Sequence, residues 1–253
     1  MMTDEPTTLE RVAVRMFLPQ HCQAITPRIA RQRTWESECT QWILANIRRG
    51  DTFVDVGAHV GYFALIAAKS VGEEGHVFAF EPDPTNYSTL ARNVILNGFR
   101  NVTLEQMAVT NRNDRIRLYL SETNSGDHRI LFCEEPRQSI QVDCVTIDDY
   151  FRDRGHMPRI DFVKIDTQGA EVFVLQGMRK TLRLNPGVRL IVEFWPYGLF
   201  CLGTNAGELL RILESHGFIL VRAEQERLLA TYTVENRRHT NLMLHRSGFK
   251  ACA

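Results

Sequence analysis

Hydrophobic positions along the chain change period several times, and each change marks a new element. Trp35, Cys39, Trp42, Ile43 and Ile47 recur at helical spacing and predict a helix over residues 35–48, closed by Gly50. Short apolar runs at 53–56, 77–80 and 102–107 predict buried strands, and helices are expected between them at 62–71 and 86–97, the second stopped by Gly98. Residues 115–120 and 139–145 alternate apolar with polar. They predict two half-buried antiparallel strands, an inserted β-hairpin around the polar loop 121–127. The α/β rhythm then resumes with a strand at 160–165, a helix at 170–176, a strand at 188–192 and a helix at 206–216 before Gly217. Closing strands are expected at 218–221 and 241–245.

Strands alternating with helices predict one α/β domain over residues 35–246. Its sheet should be mainly parallel and seven-stranded, with right-handed crossovers and an antiparallel last strand. Residues 1–34 lack a clear period and read as an N-terminal arm or cover; residues 247–253 read as a tail. Ligands of such sheets sit outside the carboxyl ends of the strands, near the switch in strand order.

Composition narrows the function classes. The 253 residues are 44% hydrophobic and 24% charged, enough for one large core. No apolar run approaches the roughly 20 residues of a transmembrane helix. The first residues carry no basic-then-apolar segment, so no secretory signal is expected. Thirty basic residues balance thirty acidic ones, which argues against a duplex nucleic acid as partner. The six cysteines are scattered without a C-x-x-C pair, matching neither a zinc spacing nor a disulfide framework; a reduced, cytoplasmic setting is the expectation.

The first strand runs into Asp55-Val56-Gly57-Ala58-His59-Val60-Gly61. Gly57 permits a tight turn, Gly61 a close approach of helix to strand, and the helix start presents free N–H donors. A P-loop would end in Gly-Lys-Ser/Thr, and a dinucleotide loop would place a glycine where His59 stands. No lysine or arginine lies between Asp51 and Ala68. The loop therefore suits a ligand with a sulfonium cation and no phosphate. Glu81 ends the second strand, where an acid accepts hydrogen bonds from both ribose hydroxyls. Together these features point to S-adenosylmethionine.

The strings at 51–61 (DTFVDVGAHVG), 80–84 (FEPDP), 93–98 (NVILNG) and 164–171 (KIDTQGAE) resemble the FkbM-type methyltransferases over about residues 35–217. The resemblance implies a Rossmann-like class I methyltransferase domain using S-adenosylmethionine. By position it implies a cofactor set of Asp55, Val56, Gly57, Ala58, His59, Gly61, Glu81, Pro82, Ala108 and Asp166, with Ala108 bordering the adenine. Many members carry asparagine where His59 stands. The resemblance leaves the acceptor open among sugars, natural products and peptides.

For the chemistry, Asp166 and Glu193 are the leading acids, each at the carboxyl end of a strand. They could hold a hydroxyl, a nitrogen or a divalent cation, although no metal is expected; Asp166 could equally cap the next helix. Gln168 and Glu171 border the same crevice. His59 and His128 are candidate bases, and the loop carrying His128 either folds over the cofactor or is a plain hairpin turn. Phe194, Trp195 and Tyr197 could pack on an acceptor or in the core, while Arg237, Arg238 and His239 read as a solvated turn. The leading function is an O-methyltransferase of a small molecule or peptide, with a homo-oligomer possible. The alternatives are an N-methyltransferase of a peptide or tRNA and a non-catalytic cofactor-binding protein.

Overall fold

In the computed structural model, described for residues 5–9, 11–20, 22–130, 136–155, 157–221 and 229–246, the chain opens on a hairpin of β1 (Thr7–Leu9) and β2 (Val14–Met16). Helices α1 (Thr26–Gln32) and α2 (Ser37–Asn46) follow. Alternation begins with β3 (Thr52–Val56), α3 (Tyr62–Val71), β4 (His76–Phe80), α4 (Pro84–Leu96) and β5 (Val102–Glu105). An insertion of β6 (Ala108–Val109), β7 (Asp114–Tyr119), β8 (Ser139–Val145) and α5 (Ile147–Asp153) precedes β9 (Phe162–Ile165). The chain closes with α6 (Glu171–Gln176), α7 (Arg179–Leu184), β10 (Arg189–Phe194), α8 (Pro196–Cys201), α9 (Ala206–Ser215), β11 (Phe218–Leu220) and β12 (Thr240–Arg246).

Seven strands form the main sheet in the order β11-β12-β10-β9-β3-β4-β5. The pairs of β3, β4, β5, β9 and β10 are parallel, and β12 runs antiparallel to both of its neighbours, as the alternation predicts. Strand order reverses between β3 and β9, which places the crevice at their carboxyl ends. Alternate residues of each strand serve opposite faces. Phe53, Phe162, Ile191 and Met243 pack with α2 and α3 in one core; Val54, Val163, Val192 and Leu242 pack in the other.

Residues 7–32 hold more order than their sequence suggests. Leu9, Val14, Met16 and Ile29 are buried in the same core as Phe53 and Leu65. Three-residue strands are too short to display a period, which is why they escape pattern reading. Helices α5, α7 and α8, each of six or seven residues, are hidden for the same reason. Helix α4 begins two residues earlier than its apolar period, because Asp83 caps it by accepting from Asn86 N and Pro84 opens it.

The inserted hairpin is a three-stranded sheet: β8 pairs antiparallel with β7 and parallel with β6. Residues 131–135 and the tail 247–253, with Cys133 and Cys252, lie outside the described residues; Cys22, Cys39, Cys144 and Cys201 are free thiols. Among the described residues no helix is long and apolar enough to cross a membrane.

Candidate active site

The turn from β3 into α3 is set by close approaches that only glycine allows. Gly57 has φ +81°, and a Cβ there would lie 2.0 Å from the carbonyl oxygen of Asp166 on the adjoining turn. Gly61 has φ +96° and faces Leu90 of α4, whose Cδ1 would be 2.5 Å from a Cβ. The glycine thus serves helix–helix packing, not the helix–strand approach expected from the sequence. Between them His59 takes φ +53°, the left-handed conformation that histidine adopts more readily than most residues. Its backbone N–H then donates to Glu81 Oε2 at 2.8 Å.

Glu81 is held from both sides. Its Oε1 accepts from Asp83 N at 3.0 Å and from Asn86 Nδ2 at 3.5 Å. Burial pushes its carboxyl up to about 8 despite these bonds. The carboxylate is therefore oriented by backbone donors and lacks charge compensation, so a ligand with hydroxyl donors would stabilise its ionised form.

A different arrangement occupies the neighbouring strand ends. In the parallel register Asp55 lies beside Lys164, and Ile191 beside Lys164 on the other side. Two residues further along, Asp166 and Glu193 emerge on the same face, and Glu193 sits opposite Asn241 of β12. Period two therefore lays Asp55, Lys164, Asp166, Glu193 and Asn241 in one polar band above the α2–α3 core. Lys164 Nζ donates to Asp166 Oδ2 at 2.7 Å. Gln168 Nε2, on a backbone with φ +53°, donates to Asp166 Oδ1 at 2.9 Å and to the two Glu193 oxygens at 3.1 and 3.2 Å. His239 Nδ1 lies 3.2 Å from Glu193 Oε1.

These contacts set the charges. Burial alone would lower the Lys164 ammonium, but Asp166, Glu36 and Asp55 outweigh it and hold the lysine above its ordinary value. Burial raises Asp166; Lys164 more than reverses this and leaves it low. Asp55 is pushed up to about 6 by burial, and neither of its oxygens meets a well-aligned donor among the described residues. Hydrogen bonding to Glu193 raises His239 to about 9. Glu193 is itself raised by burial and by Asp166.

Asp166 does not cap α6, whose N-cap is Ala170 without a side-chain bond. Glu171 organises that turn instead, accepting from Thr167 N, Thr167 Oγ1 and Gly169 N through Oε1. Asp166 and Glu193 do not fit a divalent cation, because an ammonium and an amide already donate to them. Among the described residues no group of three or more His, Cys, Asp or Glu is placed to hold a metal ion.

Residues 124–130 of the connection between β7 and β8 line the crevice rather than forming a tight turn. Ser125 Oγ is 2.7 Å from His59 Nε2, and Ser125 O accepts from Asn86 Nδ2 at 2.9 Å. His128 is a brace within this loop: its Nδ1 accepts from Ser121 N at 3.0 Å, and its Nε2 is 4.0 Å from Asp83 Oδ1. Asp127 pairs with Arg129 and Arg137, and the Arg129 guanidinium lies 4.5 Å from the centre of the Trp195 ring.

The result is a cavity of about 600 Å³, within the usual range for small-ligand sites. Val56, Ala58, Pro82 and Ala108 supply apolar wall, while Glu81 and His59 stand at one end. Asp166, Gln168, Glu193 and His239 stand at the other. Asp55 and Gly61, expected in the cofactor set, are not among the residues that line the cavity. Trp195 lines the cavity, and its Nε1 donates to Arg237 O, anchoring the segment before β12; Phe194 packs in the core. The expected solvated turn at 237–239 is thus tied down, with His239 drawn to Glu193. Lys164, Glu36 and His239 are the members that pattern reading missed. A lysine inside an otherwise apolar strand was the available signal for the first.

Comparison with known proteins places this geometry. Residues 55–220 match the methyltransferase FkbM domain. The chain is 25% identical to Methyltransferase 1 of Beauveria bassiana over 51% of its own length and 59% of that protein, so it spans less than two thirds of that relative. It is 27% identical to the 31-O-demethyl-FK506 methyltransferase FkbM of Streptomyces tacrolimicus, covering 73% of the chain and 78% of the relative. A solved structure described as an rRNA methylase from Clostridium thermocellum shares the fold with a TM-score of 0.52 at 16% identity, over 83% of this chain and 93% of that one. With the matched segment running from Asp55 of β3 through to β11, the chain belongs to the FkbM methyltransferase family.

Proposed function

We propose that the cavity binds S-adenosylmethionine and that the chain directs its methyl group to a hydroxyl of a small molecule or peptide. The observation that carries the reading is Glu81, a buried carboxylate aligned by His59 N and Asp83 N at one end of the apolar wall. A vicinal diol is the ligand group that both oxygens of such an acid can accept from. Val56, Ala58, Pro82 and Ala108 offer a flat apolar surface for an adenine. The N–H groups of Gly57, Ala58, His59 and Gly61 are engaged within the fold, so the turn before α3 serves the site through its shape and its hold on Glu81. When bound, S-adenosylmethionine supplies a methyl group already activated by its sulfonium.

The remaining work falls to the chain: aligning the acceptor, excluding water and receiving a proton. Asp166 and Glu193, bridged by Gln168, face the space where an acceptor would lie, and Trp195 gives it an aromatic wall. The relative from Streptomyces tacrolimicus is named for a 31-O-demethyl acceptor, which favours oxygen over nitrogen here.

Titration calorimetry with S-adenosylhomocysteine tests the donor site, and saturable one-to-one binding is expected. Absence of binding overturns the reading. Transfer of a labelled methyl group to a panel of sugar, macrolide and peptide hydroxyls, with matched amines as controls, then tests the acceptor atom. Labelling of the amines alone would overturn oxygen as the target.

A further inference from the structure

We propose that Glu36 is a ligand-binding residue of the cavity, one whose carboxylate receives a positive charge of the methyl donor. The proposal rests on the reading of the cavity as the S-adenosylmethionine site. Glu36 lies upstream of the segment that matches the family, so that match assigns it no role.

Three observations converge on this residue. First, its backbone is held at φ +40°, ψ +63°, a conformation that side-chain-bearing residues avoid. It occupies the N-cap position of α2, yet its side chain makes no capping bond to that helix. Second, the side chain turns to the cavity wall, and its Oε2 is sealed from solvent without a hydrogen-bond partner among the described residues. Asn241 supplies the carboxyl with one hydrogen bond from β12. A buried carboxylate oxygen left unpaired is unfavourable unless a ligand completes it.

Third, the surrounding charges do not balance. Glu36, Asp55, Asp166 and Glu193 stand against Lys164 and His239, four acids to two bases, and Glu36, Asp55 and Glu193 are accordingly held above their ordinary values. Burial pushes the Glu36 carboxyl up; Lys164 on β9 opposes this, Asp166 adds to it, and His239 before β12 opposes it. Cys39 on α2 and Asp55 on β3 also feel its charge. A cation entering the cavity would relieve this imbalance. S-adenosylmethionine carries two candidate charges, its ammonium and its sulfonium. Both are sources of the same chemistry.

Calorimetry with three ligands separates them. S-adenosylmethionine has both cations, S-adenosylhomocysteine only the ammonium, and 5′-methylthioadenosine neither. Glu36→Gln should weaken the recognised ligands by about tenfold or more, the worth of a charge-assisted hydrogen bond, and leave methylthioadenosine within about twofold. Equal losses for the first two ligands assign the ammonium; a loss confined to S-adenosylmethionine assigns the sulfonium. Equal changes for all three ligands, or no change, overturn the proposal. Glu36→Asp, which keeps the charge on a shorter arm, should retain part of the discrimination, and it serves alone if the glutamine variant fails to fold. Equal changes for all three ligands in Glu36→Asp would then overturn the proposal. Wild-type protein that binds none of the three overturns the reading of the cavity itself, a result separable from any effect of Glu36.

Discussion

The two ends of the cavity are built on opposite principles. At one end a single carboxylate, Glu81, is oriented by the backbone N–H groups of His59 and Asp83, residues of the same two strand-to-helix turns. At the other, Lys164 pairs with Asp166 and His239 with Glu193, side-chain charges that orient one another across β9, β10 and the approach to β12. Backbone donors belong to the fold and stay in place when a neighbouring side chain changes. Mutual charge has no such independence, so removing one member alters the protonation of the rest. The first end is suited to holding a constant ligand. The second is suited to a chemistry that moves charge.

Perturbing the charged end should produce the largest effect. Lys164→Met leaves Asp55, Asp166 and Glu36 without their common ammonium, and breaking such a buried pair costs about 3–5 kcal/mol. Denaturant unfolding should show this loss at neutral pH, with partial recovery in acid as the carboxylates protonate. A variant as stable as wild type would remove the distinction between the two ends. Next comes Glu81→Ala, which deletes the carboxylate proposed to hold the ribose and should weaken S-adenosylhomocysteine by about 1.5–3 kcal/mol while leaving the fold intact. Unchanged affinity by calorimetry would remove Glu81 from the donor site.

The pH dependence gives a smaller effect of definite sign. His239 is raised to about 9 by Glu193, and Glu193 is raised to about 8 by burial and Asp166, so both groups bind protons more tightly in the folded state and favour it toward lower pH. That stabilisation fades as pH rises through about 9. With the His239 side chain 60% exposed, the contribution after solvent screening is roughly 1 kcal/mol. The stability difference between wild type and Glu193→Gln should be present at pH 6 and shrink toward pH 9.5; a difference that grows with pH would contradict the pairing. The smallest change is expected for Ser125→Ala. It removes the His59 contact from the loop between β7 and β8 at a cost of about 0.5–1.5 kcal/mol, read as a modest fall in melting temperature. A larger loss would mean that the loop, and not the glycine turn, holds that end together.

The same contrast explains what could be read before any coordinates. Gly57, His59, Gly61 and Glu81 lie within two successive strand–turn–helix units, where spacing along the chain equals position in space. The seven-stranded sheet was legible for the same reason, since its short apolar runs alternate with longer helical periods. Glu36, Lys164 and His239 meet only because α2, β9 and β12 converge, and no local spacing encodes that meeting. His239 was hidden in a polar run whose neighbours are arginines. Its position follows from the antiparallel ladder between β10 and β12, which sets Glu193 opposite Asn241. Short elements such as β1, β2 and α8 were invisible for a further reason: fewer than two turns or two alternations leave no period to detect.

The polar band takes Lys164 and Asp166 from one face at the end of β9 and Glu193 from the same face at the end of β10, and this ties the chemistry to the parity of the count along each strand. Deleting one residue within β9 would swing Lys164 and Asp166 to the opposite layer and drive a valine or isoleucine into their place, exchanging ionised groups for hydrocarbon in both cores at once. Exchanging two acids of the band perturbs only their immediate neighbours. The reading frame of a four-residue strand is therefore guarded more strictly than the identity of any single side chain it carries.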